Sequence, residues 1–205
     1  MGNLISLDMV VGLLGGFAFS FILWWFLNHK LVPIVRFSEE VTKKPLSYGE
    51  HRFGYQFAVK NIGARSIINI RIKARLRIRD VRKTGTRYLN YYDIALLSDE
   101  IFEMKPGSMV MLSLLFNKSK SLESPAIDAR LASVYDAKQL TLDDIFSIYP
   151  DAVVFVQLIG TDIYSNATKV FRSNLYSRRD VRLGRFRRRC LDVAPLSKNQ
   201  RTLLK

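Results

Sequence analysis

Residues 68–80 read INIRIKARLRIRD and set apolar and basic side chains in strict alternation. Ile68, Ile70, Ile72, Ala74, Leu76 and Ile78 share one parity, whereas Asn69, Arg71, Lys73, Arg75, Arg77 and Arg79 share the other. Successive side chains of a strand point to opposite faces, so the stretch predicts a β-strand with one face in a core. The opposite face then carries five cations in a row. Such a row is a solvated face, an edge that discourages strand pairing, or a surface built for an anion. Like charges at strand spacing repel unless an anion or an acidic neighbour compensates, which favours the last.

Further strand-like runs lie on either side: 54–61 (GYQFAVKN), 109–116 (MVMLSLLF), 151–160 (DAVVFVQLIG) and 168–176 (TKVFRSNLY). They show period-two alternation or enrichment in β-branched and aromatic residues. Breakers separate them, among them Asn61-Ile-Gly63, Pro106-Gly107 and Pro150. LTLDDIFSIY, 140–149, reads as a short helix with Thr141 as cap and Asp143 and Asp144 in its first turn. Many short strands and one helix predict a mainly β fold, an antiparallel β-sandwich.

The amino-terminal part is of another kind. Met9–Leu27 is nineteen residues without a charge, close to the ~20 apolar residues that span a ~30 Å hydrocarbon core. Asp8 precedes it, and Trp24-Trp25 stand where a cleavable signal would place small residues. Residues 9–28 are therefore expected to form a retained single-pass transmembrane helix, after a short tail, 1–8. His29, Lys30, Arg36, Lys43 and Lys44 follow the span, so the positive-inside rule puts the amino terminus outside and the rest in the cytoplasm, on an inner cell membrane. Gly12, Gly16 and Ser20 recur every fourth residue, a spacing that lets membrane helices approach and self-associate.

Composition narrows the chemistry. The 205 residues carry 32 Lys and Arg against 18 Asp and Glu, a balance that favours anionic partners: lipid headgroups, nucleic acid or acidic ligands. Arg178, Arg179, Arg182, Arg185 and Arg187–Arg189 form the densest cluster. With Lys30 and Arg36 beside the span, Arg178, Arg179, Arg182 and Arg185 are candidates for lipid headgroups. Nucleic acid is the less favoured partner. One cysteine, Cys190, and two histidines offer no metal-ligand cluster. Without a Ser/His/Asp or Cys/His grouping or a phosphate-cradling glycine loop, no catalytic residue, metal or cofactor is expected, and the chain does not read as an enzyme.

Six segments in order carry a resemblance: IVRFSEEV (34–41), VKNIGARSIINIRIKARL (59–76), YYDIALLSDEI (91–101), LTLDDI (140–145), QLIGTD (157–162) and FRSNLYSRRDVRLGRF (171–186). Over roughly residues 34–192 they resemble the carboxyl-terminal cytoplasmic domain of inward-rectifier potassium channels, most closely the bacterial members. The resemblance implies an immunoglobulin-like (E-set) sandwich over 29–192, followed by a tail, 193–205. The chain departs from the family where a channel needs most: one hydrophobic span, no Thr-x-Gly-Tyr-Gly filter, a divergent region around 117–139 with an apparent insertion after Pro125, and Leu183 in place of the family's Trp.

In the family, four such sandwiches surround the channel axis and the strand matching 68–80 lines the vestibule. The resemblance therefore implies a homo-oligomer, a tetramer first, with Asn69, Arg71, Lys73 and Arg75 facing a lumen that attracts anions and repels cations. A membrane-tethered sensor or scaffold that binds anionic lipid or ligand is the leading expectation. The alternative is an ion-channel component, either a minimal pore of assembled single helices or an accessory of a separate channel subunit.

Overall fold

The computed structural model describes residues 7–29, 33–45, 53–81, 87–116, 119 and 140–195. Lys30, most of the divergent region around 117–139 and both chain ends lie outside the described residues. Helix α1 (Leu7–His29) begins two residues before the expected span, 9–28, and ends one residue after it. Its Asp8–Leu27 window is long and apolar enough to cross a membrane, and none of it is buried against the rest of the protein.

Eleven strands are described: β1 (Val35–Phe37), β2 (Val41–Pro45), β3 (Phe53–Asn61), β4 (Ile67–Val81), β5 (Arg87–Leu96), β6 (Glu100–Met104), β7 (Met109–Leu115), β8 (Val153–Asp162), β9 (Thr168–Arg172), β10 (Val181–Phe186) and β11 (Val193–Pro195). Helix α2 (Leu142–Ile148) precedes β8. The strands join in the order β11-β10-β2-β3-β7-β5-β4-β8-β9, with β1 added on β3 and β6 on β4. β5 links the two halves: Arg87–Ile94 pairs with β4, while Ala95 and Leu96 pair with β7. The arrangement is sandwich-like, because both halves feed one core. Tyr55, Phe57 and Val59 of β3 and Leu112 and Leu114 of β7 share it with Ile70, Ile72, Leu76 and Ile78 of β4 and Val154, Val156 and Leu158 of β8.

The sheet is mixed rather than wholly antiparallel, which corrects the expectation in one place. β10 runs parallel to β2, with Val181 opposite Val41. Parallel neighbours need a crossover, and here almost the whole domain intervenes between the two strands. β11 pairs with β10 from Gly184 to Phe186, so the last strand extends three residues beyond the boundary expected at 192.

β4 is the long element of the fold, and its alternation holds from Ile70 to Ile78, every even residue being buried. Below Ile70 the phase changes. Ile67 is buried in place of Ile68, and the pairing with β8 shifts between Ile68 and Arg71. Asn69 supplies the extra residue at φ 51°, a left-handed conformation that asparagine tolerates better than most side chains. Gly160 on β8 makes the bulge fit: a Cβ there would collide with Ile67 and crowd Ile70. The helix α2 starts as expected, with Thr141 and Asp144 exchanging the two hydrogen bonds of a capping box. Leu142, Ile145 and Phe146 bury its inner side.

Candidate anion-binding face

The outer side of β4 presents Arg71, Lys73, Arg75, Arg77 and Arg79, Arg75 and Arg77 being half-buried and the others exposed. Alternate residues of a strand lie about 6.6 Å apart, so the row extends about 26 Å. Two of the five cations have acidic neighbours. Arg75 Nε donates to Asp93 on β5 at 2.9 Å, and Arg71 Nε lies 3.6 Å from Glu100 on β6. Arg71 and Glu100 are about three-quarters exposed, so water screens that pair to well under ~1 kcal/mol. Among the described residues no carboxylate pairs with Lys73, Arg77 or Arg79. Repulsion across ~6.6 Å of water-like dielectric is only about 0.6 kcal/mol per neighbouring pair. The row is therefore tolerated without a bound anion, and the three cations without a carboxylate partner among the described residues can take one.

Apolar side chains flank the cations. Phe155 on β8 stands opposite Arg75, and Tyr91 on β5 stands opposite Arg77. The two rings meet edge to face at 6.2 Å. Arg172 of β9 covers Phe155 with its guanidinium 4.2 Å from the ring centroid, leaving Phe155 only 2% exposed although it is on the outer face. Tyr91 and Leu89 are each about half exposed, at 51% and 49%. At the bulge the face hollows into a groove of about 560 Å³, bounded by Asn69, Arg71, Glu100, Phe102, Ile159 and Thr168. Of the four expected vestibule residues, the structure thus brings Asn69 and Arg71 into one groove and sets Lys73 and Arg75 above it on the same strand. Arg172, Tyr91, Phe155 and Phe102 belong to the same surface and had not been singled out. Phe155 and Arg172 lie in runs read as strands, whereas Tyr91 and Phe102 lie in segments without a clear strand period.

The remaining candidates are dispersed. Arg36 is exposed on β1, where a groove of about 300 Å³ sets it beside Glu39, Glu40 and Asp192. Three carboxylates around one arginine make that groove a poor host for a headgroup phosphate. Arg178 and Arg179 are exposed in the 3-10 turn Arg178–Asp180, and Arg182 and Arg185 are exposed on β10. Arg182 is engaged by Glu40 at 3.0 Å. On α1, Gly12 and Gly16 have open space where a side chain would be, and Ser20 is exposed beside them in the helical repeat.

Asp143 has a structural task. Its carboxylate accepts from Tyr55 Oη at 2.7 Å and pairs with the Lys43 ammonium. Partial burial pushes Asp143 up, but the Lys43 and Tyr55 hydrogen bonds outweigh it and hold the carboxyl below its ordinary range. Burial, then Asp143, drive Tyr55 far above the usual phenol range. The three tie β2 and β3 to the start of α2. Among the described residues there is no grouping of three His, Cys, Asp or Glu suited to a metal.

No family model matches the chain, and no curated protein matches it. Among solved structures the chain is similar to Spo0M, a sporulation control protein from Bacillus subtilis, at 16% identity with a TM-score of 0.34 over 73% of this chain. The chain spans about half, 49%, of that structure's length. A likeness this distant carries no argument about fold or activity.

Proposed function

We propose that the chain is a non-enzymatic, single-pass membrane-anchored sensor or scaffold whose β domain offers the outer face of β4 to a phosphate-bearing anion, free or on a lipid headgroup. One observation carries the reading: Lys73, Arg77 and Arg79 share one face of a strand without a carboxylate partner among the described residues. The resemblance to inward-rectifier cytoplasmic domains supports an immunoglobulin-like, E-set form of the sandwich. It also supports a ring of four copies with this row turned inward. The unburied α1, with its exposed Gly12, Gly16 and Ser20, supports both anchoring and association of the helices. The cations after the span support a cytoplasmic domain.

The test uses the full chain in nanodiscs of uncharged lipid, titrated with inositol hexakisphosphate. Binding is expected to weaken by roughly 100-fold or more when Arg71, Lys73 and Arg77 are all changed to Glu, each cation near an anionic site contributing ~1 kcal/mol. Unchanged binding removes the β4 face from the reading. The mass of the detergent-solubilised complex decides the ring separately, and a monomer eliminates it. The second reading, a pore of assembled helices, draws on the open space at Gly12 and Gly16. It requires ion currents in planar bilayers that disappear when both glycines become Leu.

A further inference from the structure

Where α1 meets the β domain, a side-chain hydrogen bond joins them. Arg65, in the turn between β3 and β4, donates from Nη2 to the Leu27 carbonyl at 3.1 Å. The last carbonyls of a helix lack partners within it and carry partial negative charge, so a guanidinium there satisfies both needs. From Nη1 the same group donates to Asp162 Oδ2 at 3.1 Å. Asp162 ends β8 and is almost wholly buried, its carboxylate also accepting from Ser165 Oγ at 2.6 Å and from the Tyr164 backbone N–H at 3.3 Å. Arg65 thereby fastens the end of the apolar helix to the loop after β8.

The loops around this fastening are apolar and uncovered. Ile163 and Ile62 are 49% and 48% exposed, Ile34 49%, and Tyr164 76%. The Arg65 guanidinium lies 5.2 Å from the Tyr164 ring centroid. Backbone hydrogen bonds gather the rest: Ile62 N and Gly63 N donate to Ile34 O, and Ile163 N donates to Ser66 O. The covalent chain gives a second constraint, since seven residues from Leu27 to Ile34 reach at most about 25 Å even when extended.

We infer that Ile34, Ile62, Ile163 and Tyr164 form a seat that the β domain sets into the headgroup layer of the same membrane that holds α1, with Arg65 as the clamp between them. This rests on the reading of α1 as a membrane anchor. The occupant of the seat is the lipid interface, because the Arg65 contact fixes the loops at the level where the apolar window Asp8–Leu27 ends. Aliphatic side chains with one tyrosine suit that layer, the ring in the acyl boundary and the hydroxyl among headgroups. The seat and the β4 row are separate surfaces: the seat inserts apolar side chains, and the row binds charge.

The experiment places an environment-sensitive fluorophore on single cysteines of the full chain, in a Cys190→Ser background, reconstituted in phosphatidylcholine liposomes. Three sites are compared: Phe21→Cys within α1, Ile163→Cys in the seat, and Asp151→Cys just before β8, about 36 Å from Asp162 by strand rise. Spin-labelled lipids then quench by depth. The seat predicts quenching of the Ile163 probe by headgroup-level labels, with a blue-shifted emission, and only background quenching at Asp151. It also predicts loss of the Ile163 signal in the double variant Arg65→Ala/Asp162→Asn, in which no buried charge is stranded, while a retained tyrosine circular-dichroism signal shows the fold intact. A quenched Phe21 probe with an Ile163 probe that behaves like Asp151 overturns the seat and leaves the anchor standing. An unquenched Phe21 probe removes the anchor reading and the seat with it.

Discussion

Arg65 and Arg75 stand ten residues apart, one just before the long strand β4 and one within it, and each pairs with an aspartate. Both guanidiniums are half-buried, but Asp162 is fully buried whereas Asp93 is about two-thirds exposed on the sheet surface. The same ion pair therefore does two different things. Around Asp162 the dielectric is low and water is excluded, so removing the guanidinium strands a charge. On the β4 face water takes over from any lost partner, and the residue is available for an outside ligand. Burial of the partner carboxylate, rather than residue type, separates the arginine that builds the domain from the one it displays.

The largest effect that sharpens this contrast is expected from Arg65→Ala. The variant should lose about 3–5 kcal/mol of unfolding free energy, the cost of breaking a buried pair on one side, measured by urea unfolding of the full chain in detergent. A loss no larger than that of an exposed pair would erase the distinction. The Arg71→Glu/Lys73→Glu/Arg77→Glu variant comes next. Its unfolding curve should stay within about 1 kcal/mol of the parent, since surface substitutions rarely move stability further, while affinity for the polyanion falls as described above. Gly160→Ala should cost about 1–3 kcal/mol by overpacking against Ile67 and Ile70. A neutral result would show that the bulge at Asn69 relaxes freely. The smallest effect belongs to Arg75→Ala, below about 1 kcal/mol because its partner Asp93 is largely exposed.

Proton linkage offers a second way to part the two regions. Burial pushes Asp162 up, but the hydrogen bonds from Ser165 and Tyr164 and the Arg65 guanidinium more than reverse this, holding it below the ordinary aspartate range. A carboxyl depressed in the folded state stabilises at pH above its unfolded value, about 3.9, and that contribution is lost as pH falls through the lower folded value. The stability difference between the parent and Asp162→Asn should therefore be constant from pH 7 to about pH 5 and shrink below about pH 4. A difference that shrinks near neutrality would assign the effect to another group.

The inner face of β4 was legible because its period of two survives over nine residues, from Ile70 to Ile78. The bulge was not. Ile68 continues the apparent alternation, so the run disguises the change of phase, and only the Ile67-Ile68 doublet and the turn-tolerant Asn69 hint at it. β5 escaped notice because its outer side mixes Leu89 and Tyr91 with Asp93 and shows no clean alternation. β10 was hidden among arginines that give it a charged outline. β1, β2, β6 and β11 span only three to five residues each, too short for a period to declare itself. Pairings are nonlocal by nature: Arg65 and Asp162 are 97 positions apart, and no window of sequence joins them. The cap of α2 depends on residues three apart and was read correctly from the sequence alone.

The evenness of the β4 row has a statistical consequence. A small anion can bridge two adjacent cations at once, and five cations in line offer four such neighbouring pairs. Arg71 and Arg75 bring Glu100 and Asp93 to three of these pairs, so the statistical gain stays below the roughly 0.8 kcal/mol that four equal seats would give. Neighbouring seats also let an anion step along the strand without leaving it. Loss of any one cation leaves at least two seats intact, so the surface would degrade gradually and not fail at a single residue. Such a face reports how much anion is present more readily than where on the strand it sits.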